Sequence, residues 1–329
     1  MPRDLRECVV VITGGSSGIG RAAARAFARE GSRLVLAARA VEPLQLVAEE
    51  CGRHGAEALV VPTDVRDEEA VRALAERAVA RFGRLDVWVN CAGVIAYGRF
   101  GDVPPEIFRA VVETNFFGQV HGARACLPRF REQRSGVLIN MSSVWGRVTT
   151  PDVSAYVASK FAVRAFSECL HHELRDVPGV DVATMLPQAV DTPIFGNAAN
   201  CSGRAIRPVP PLIDPAEVAE GIVMCARSPK REVTYRRTGR MLELLHSLAP
   251  SLYGRLLPAA FEAGNYAPRA APRSPGSVLE PAPGDHEVHG GWSRRRRELW
   301  TALADAAGAG ARALAGRRRR RGLPERPGI

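Results

Sequence analysis

No apolar run in the chain approaches the ~20 residues that a membrane-spanning helix requires. The N-terminus, MPRDLREC, mixes acids and bases and passes straight into an apolar stretch, so no secretory leader with an apolar centre is expected. The seven cysteines, at positions 8, 51, 91, 126, 169, 201 and 225, are odd in number, scattered, and without a CxxC pair. That excludes a disulfide framework and a cysteine-based zinc site, and reads as small buried hydrophobes in a reducing compartment. There are no internal repeats. The body of the chain also has little surplus charge. Of the net +10, residues 264–329 carry 13 Arg against 6 acids, a surplus of +7, which leaves +3 for everything before them. The basic character belongs to the tail, and nothing supports a specific nucleic-acid function for the body.

At 329 residues and 46% hydrophobic content, the chain can build one generous core with something to spare. Cys8–Thr13 (CVVVIT) is β-branched, apolar and bounded by glycines, which reads as a buried parallel strand. TGGSSGIG follows, then the helix former RAAARAFARE ending at Gly31. Strand, glycine turn and helix start in that order put backbone N–H groups and the helix dipole where a pyrophosphate can sit. Gly14, Gly18 and Gly20 have the spacing of a dinucleotide turn. A P-loop would need Lys and then Ser or Thr after Gly20, where Arg21 and Ala22 stand instead, so a nucleotide triphosphatase is excluded.

The second chemical stretch is SAYVASK, Ser154–Lys160. A Tyr and a Lys four positions apart share one helix face, so Tyr156 and Lys160 can address one small volume. A nearby ammonium favours the phenolate, which predicts that Tyr156 can exchange a proton near neutrality. Thirteen residues upstream, after the apolar run GVLINM, Ser143 could hold a substrate oxygen while Tyr156 donates to it.

TGGSSGIG, NCAG, a Ser thirteen residues before YVASK and a PxxVxT segment together resemble the short-chain dehydrogenase/reductase family over roughly residues 8 to 240. The resemblance implies that Tyr156 is the general acid/base, that Lys160 binds the nicotinamide ribose and tunes the Tyr, and that Ser143 positions the carbonyl. It also implies that Asn115, from ETNFFG, supports a water relay. It assigns cofactor contacts to Gly14, Ser16, Ser17, Gly18, Ile19, Gly20, Asp64, Val65, Asn90, Ala92, Gly93, Val190 and Thr192, besides Tyr156 and Lys160. Asn90 is expected also to brace the central strands. Two positions depart from the family pattern: Cys91 stands where Asn is usual, and Gln188 replaces a Gly in the loop after the sixth strand.

Arg33–Ala38 reads as the second strand. An acid at its end would hydrogen-bond the adenosine ribose and repel a 2′-phosphate; here Ala38 and then Arg39 occupy that place. A guanidinium suits a phosphate dianion, and Ser16 could add a hydroxyl contact, so NADP(H) is predicted over NAD(H). Further strands are read over 56–62, 85–89, 136–141, 180–186 and 232–236, with helices over 41–52, 106–131, from 154 to near 178, and 217–227. Asp67 is the expected cap of the third helix, with Asp64 a lesser candidate. Trp145 and Phe195 are expected at the substrate, and the Gly/Asn/Pro-rich residues 195–213 read as a substrate lid.

From Arg240, MLELLHSLAPSLYGRLLPAAF is apolar at helical spacing and broken at Pro250. It reads as a helix packed on the body, an oligomer interface or an amphipathic membrane-surface stretch. Residues 264–291 read as linker or extended wrap. The runs Arg294–Arg297 and Arg317–Arg321 flank a small-residue segment in a solvated tail.

The expected architecture is α/β, a doubly wound parallel sheet of Rossmann type over residues 1–262 including the apolar helical segment, with 263–329 an irregular tail. The expected function is NADP(H)-dependent interconversion of a carbonyl and a secondary alcohol, on an apolar substrate, in a cytoplasmic homodimer or homotetramer without a metal. Two other readings stay open. One is a non-catalytic cofactor-sensing or scaffold protein on the same fold; the other is a reductase of lipid, steroid or retinoid-like substrates at a membrane surface, contacting it through 240–261 or the Arg-rich tail.

Overall fold

β-branched runs of four to seven residues cannot bury their backbone alone, and alternation with amphipathic helices directs them into a parallel sheet covered on both faces. The computed structural model, which describes residues 2–235, 237–281 and 286–293, has that arrangement. In chain order the elements are β1 Val9–Thr13, α1 Gly18–Arg29, β2 Arg33–Ala38, α2 Val41–Gly52, β3 Ala58–Pro62, α3 Glu68–Phe82, β4 Val87–Asn90 and β5 Ala96–Tyr97. Then come α4 Pro105–Val112, α5 Gly118–Gln133, β6 Gly136–Met141, α6 Ser154–Glu173, β7 Val180–Leu186, β8 Ala199–Asn200 and β9 Arg204–Ile206. The series ends with α7 Pro215–Arg227, β10 Glu232–Thr234, α8 Arg237–Leu248, α9 Pro250–Asn265 and β11 Tyr266–Ala270.

The central sheet runs β3-β2-β1-β4-β6-β7-β10, with every neighbouring pair parallel. Strand order reverses direction between β1 and β4, and a crevice opens beyond the carboxyl ends of the strands at such a switch point. Successive strand side chains face opposite layers. Val10, Ile12, Leu34, Leu36, Val89 and Ile139 pack against α1, α2 and α7. Val9, Val11, Val35, Trp88 and Leu138 pack against α3, α5 and α6. The doubly wound fold is therefore as expected. Asp67 caps α3, its Oδ1 accepting from Glu69 N at 2.9 Å and Ala70 N at 3.2 Å.

One local feature differs from the expectation, and two others, the break at Pro250 and the extended wrap after Gly264, take a form that was expected. The helix expected over 106–131 is two helices, α4 and α5, joined by a π turn at Glu113–Phe117. α9 starts at Pro250 because proline is tolerated in a first turn, where its missing N–H has no partner to lose. The Pro/Gly-rich stretch after Gly264 is attached to the body: β11 pairs antiparallel with β9, and Asn200 forms an antiparallel bridge with Ser274. The chain divides into units of residues 1–290 and 291–329. The arginine runs lie outside the described residues. No helix among the described residues is long and apolar enough to cross a membrane. Met241, Leu244 and Leu248 of α8 are nonetheless exposed.

A buried polar ladder ties α6 to the sheet. Trp88 Nε1 donates to Asn90 Oδ1 at 2.8 Å, Asn90 Nδ2 to Asn140 Oδ1 at 2.9 Å, and Asn140 Nδ2 to Ser167 Oγ of α6 at 2.9 Å. Asn90 and Asn140 are paired in register across β4 and β6. Gly122 of α5 makes room for the ladder: a Cβ there would stand 2.2 Å from Asn90 Oδ1 and 2.5 Å from Trp88 Nε1. Gly122→Ala is therefore expected to lose about 1–3 kcal/mol in urea unfolding, the cost of overpacking a filled site. The control Gly52→Ala, whose methyl meets nothing within 4 Å, should be neutral or up to about 1 kcal/mol more stable. Equal stabilities for the two variants would show that the ladder does not constrain α5.

Candidate active site

The turn after β1 brings backbone very close to backbone. A Cβ on Gly20 would lie 2.1 Å from Gly14 O, so only glycine lets α1 start tight against the turn. Ser17 precedes the helix with extended backbone and no side-chain cap, leaving the first-turn N–H groups to other acceptors. This turn forms one side of a cavity of about 590 Å³ along the carboxyl ends of the strands. Gly14, Ser16, Ser17, Gly18, Ile19, Gly20, Arg39, Asp64, Val65, Ala92, Gly93, Val190 and Thr192 all line it, as do Ser143, Trp145, Tyr156, Lys160 and Phe195.

Two residues expected in the site stand behind its wall. Asn90 is 1% exposed, does not line the cavity and belongs to the polar ladder, where it braces β4 against β6. Asn115 is fully buried in the π turn. Its Oδ1 accepts from Val94 N at 2.8 Å, and its Nδ2 donates to Val94 O at 2.9 Å and Ser159 Oγ at 3.1 Å. The side chain thus fastens the Gly93–Val94 loop to α6. The irregular turn that carries it is a common device at functional sites.

α6 carries Tyr156 and Lys160. Lys160 Nζ lies 5.4 Å from the centre of the Tyr156 ring and donates to Met141 O at 2.8 Å. Ser142 Oγ donates to Lys160 O at 2.8 Å, which locks the end of β6 to the same helix. Ser143 Oγ accepts from Trp145 N at 3.2 Å and donates to Pro187 O at 3.4 Å. The Trp145 ring stands edge-on to Tyr156, with centroids 5.9 Å apart and planes at 87°, and Trp145 also packs on Phe261.

Burial decides the protonation states here. It pushes the Tyr156 phenol up to about 12, opposed by the neighbouring Ser143 hydroxyl, and it brings the Lys160 ammonium down to about 8. The expectation that the ammonium would lower the phenol is thus reversed in this pocket. Lys160 gives its hydrogen bond to Met141 rather than to the phenol, and desolvation is the largest influence on the phenol.

At the end of the cavity lined by Arg39, Asp64 is taken up by Arg66, whose Nη2 meets Oδ2 at 2.6 Å and whose Nε meets Oδ1 at 3.1 Å. That pairing draws the Asp64 carboxyl below its ordinary value, against the opposing effect of burial. Sequence reasoning missed Arg66, since a surface Arg beside an Asp has no distinguishing pattern. Gln188 lines the cavity where the family usually has Gly. Its loop keeps its shape through Ile213, whose N–H donates to Ala189 O and whose carbonyl accepts from Asp191 N, both at 2.9 Å. Val209 of the expected lid lines the cavity; unforeseen are Met241, Leu242 and Leu257 as apolar lining, and Ser277, Pro281 and His286 from the Pro/Gly-rich stretch. The signal available for the last group was Val278 and Val288, apolar residues in an otherwise polar segment and both buried.

Residues 8–201 match the family model described as short chain dehydrogenase. The chain is 34% identical over 300 residues to an uncharacterized oxidoreductase, YxnA, of Bacillus subtilis (strain 168), spanning 89% of this chain and 84% of that protein. It is 33% identical over 264 residues to dehydrogenase/reductase SDR family member 7B of Bos taurus, spanning 77% and 81%. A short chain dehydrogenase/reductase from Burkholderia phymatum, solved in complex with NAD, aligns with a TM-score of 0.69 at 27% identity, covering 76% of this chain and 96% of that one. An alcohol dehydrogenase from Thermococcus sibiricus, complexed with 5-hydroxy-NADP, aligns with a TM-score of 0.62 at 31% identity, covering 70% and 96%.

The Lys160 state has a measurable consequence. Its value in the fold, about 8, lies below the ordinary 10.5, so between those two pH values the unfolded chain binds the extra proton and unfolding becomes less favourable as pH rises. The wild type should gain stability relative to Lys160→Met from about pH 8 to pH 10.5, measured by urea unfolding at a series of pH values. A constant difference over that window would show that the ammonium is not destabilised by burial.

Proposed function

The chain belongs to the short-chain dehydrogenase/reductase family and is an oxidoreductase, and from that premise we propose that it interconverts a carbonyl and a secondary alcohol with NADP(H), on an apolar substrate. The observation that carries this reading is the convergence of Ser143, Tyr156 and Lys160 on one cavity that also contains the glycine turn and Arg39.

The residues fit a pyridine dinucleotide. The glycine turn allows close approach to a pyrophosphate, the cavity continues from Arg39 to Thr192, and its volume lies in the range of cofactor sites. Such a cofactor supplies the ring carbon that gives or accepts hydride. In the reductive direction Ser143 holds the substrate oxygen, and Tyr156, protonated at neutral pH because burial raises its phenol, donates to that oxygen as negative charge develops. Lys160 is still mostly charged at neutral pH, and its field favours the phenolate that remains. Asn115 acts as a positioning residue, fixing the Gly93–Val94 loop beside Lys160.

Preference for NADP(H) is supported by Arg39 at the end of β2, where Ala38 replaces the acid that would select against a 2′-phosphate. Asp64 adds little repulsion because Arg66 offsets it. One aligned structure holds NAD and another an NADP derivative, so the preference rests on Arg39. Trp145, Val209, Leu257 and Phe261 support an apolar substrate.

Oxidation of NADPH against a panel of aldehydes, ketones, quinones and steroids tests the reading. With any substrate found, Tyr156→Phe should lose about 10²–10⁴-fold in kcat, the usual contribution of a positioned acid, while NADPH binding is retained. Arg39→Asp should invert the NADPH over NADH preference. Turnover unaffected by Tyr156→Phe refutes the mechanism, and an unchanged nucleotide preference in Arg39→Asp refutes the NADP assignment.

A further inference from the structure

The rim of the cofactor cavity includes two stretches from beyond the expected catalytic domain, Pro272–Pro281 and His286–Gly290. The first is anchored on the lid expected over 195–213. Ser274 N donates to Asn200 O at 3.0 Å and Asn200 N to Ser274 O at 2.8 Å. Ser277 N and Oγ both donate to Asn197 O, at 2.9 and 3.1 Å. Gly276 makes this approach possible: it has φ +55°, and a Cβ there would stand 2.4 Å from the carbonyl oxygens of Asn197 and Ala198. Val278 is fully buried in the cluster of Val94, Ala96 and Ile107.

From these anchors the chain reaches the residue on which nucleotide choice rests. Arg39 Nη2 donates to Ser277 O at 2.6 Å and its Nη1 to Leu279 O at 3.2 Å, while Arg66 Nη2 donates to the same Leu279 carbonyl at 3.1 Å. The second stretch closes on the glycine turn. Gly18 N donates to Glu287 O at 3.0 Å, Arg21 Nη1 to His286 O at 2.7 Å, and Gly290 N to Asp191 O at 3.1 Å. Ser277, Pro281 and His286 line the cavity, which keeps its volume of about 590 Å³ with both stretches in place. They are therefore walls of the cleft and not a plug in it.

We propose that these two stretches form a clasp belonging to the cofactor site, with Ser277 and Leu279 as positioning residues for Arg39, so that a bound nucleotide is enclosed at its adenosine end and leaves when the clasp opens. The proposal rests on the nucleotide-binding reading above. Neutral backbone carbonyls suit the role. They orient the guanidinium without cancelling its charge, as a carboxylate would, and each leaves the remaining N–H groups of the fork to a phosphate.

Hydrogen exchange of the full chain, followed by mass spectrometry with and without NADPH, tests this while protein fluorescence reports binding in the same samples. Bound NADPH should slow exchange at residues 274–281 and 286–290, and the release rate of NADPH should rise about tenfold in Gly276→Val, as expected for losing two neutral hydrogen bonds. Binding of NADPH with exchange there unchanged or faster overturns the clasp, because the segment would then be indifferent to the nucleotide or displaced by it. Absence of NADPH binding to the wild type overturns the clasp together with the nucleotide reading. Should Gly276→Val fail to fold, the exchange data on the wild type decide alone.

Discussion

The arrangement of this protein depends on a line of buried amides and hydroxyls running across the middle of the sheet. Apolar packing alone would hold α6 against β6 with some freedom to slide or rotate, because dispersion contacts are weakly directional. Asn90, Asn140 and Ser167 remove that freedom, since a buried amide that loses its partner costs about 1–3 kcal/mol. The serine of this line lies on the helix of Tyr156 and Lys160, and Ser142 clamps the same helix once more at Lys160 O. Rotational register of α6, and with it the direction of the phenol, follows from these bonds.

A second constraint is the burial of an ammonium. The chain has two lysines, Lys160 and Lys230, and uses arginine for nearly all of its positive charge. Arginine cannot give up its proton in a protein, whereas a buried lysine comes within reach of neutrality. Lys160 is brought down to about 8, and arginine at that position would be a fixed cation. At the opposite end of the cavity the proposed NADP(H) reading has the reverse requirement: a permanent charge suits a phosphate, and Arg39 stands there. The two ends of the site thus use the two basic side chains for opposite reasons.

Much of this was legible because the relevant signals are local. The strand, glycine turn and helix at Cys8–Arg29 show their periodicity within some twenty residues. Tyr156 and Lys160 reveal their shared face by spacing alone. Asn115 was legible as a buried polar residue, but not as the partner of Val94, since that pairing joins parts of the chain 21 positions apart. The direction of the Tyr156 shift was misread because charge proximity shows in a helix and desolvation does not. The attachment of Ser277 to Asn197, and of its carbonyl to Arg39, joins residues 80 and 238 positions apart in a segment without periodicity, so composition alone suggested linker as readily as wrap.

The account turns on whether one side of α6 presents its phenol to the reactive end of a bound pyridine nucleotide. The most direct measurement is a crystal structure of the protein with NADPH. The account predicts the nicotinamide ring among Tyr156, Val190 and Thr192, with the Tyr156 and Ser143 hydroxyls facing the same open volume and the adenosine phosphate at Arg39. A nicotinamide bound elsewhere, or a Tyr156 hydroxyl turned away from it, would contradict the account and leave a nucleotide-holding fold without this chemistry.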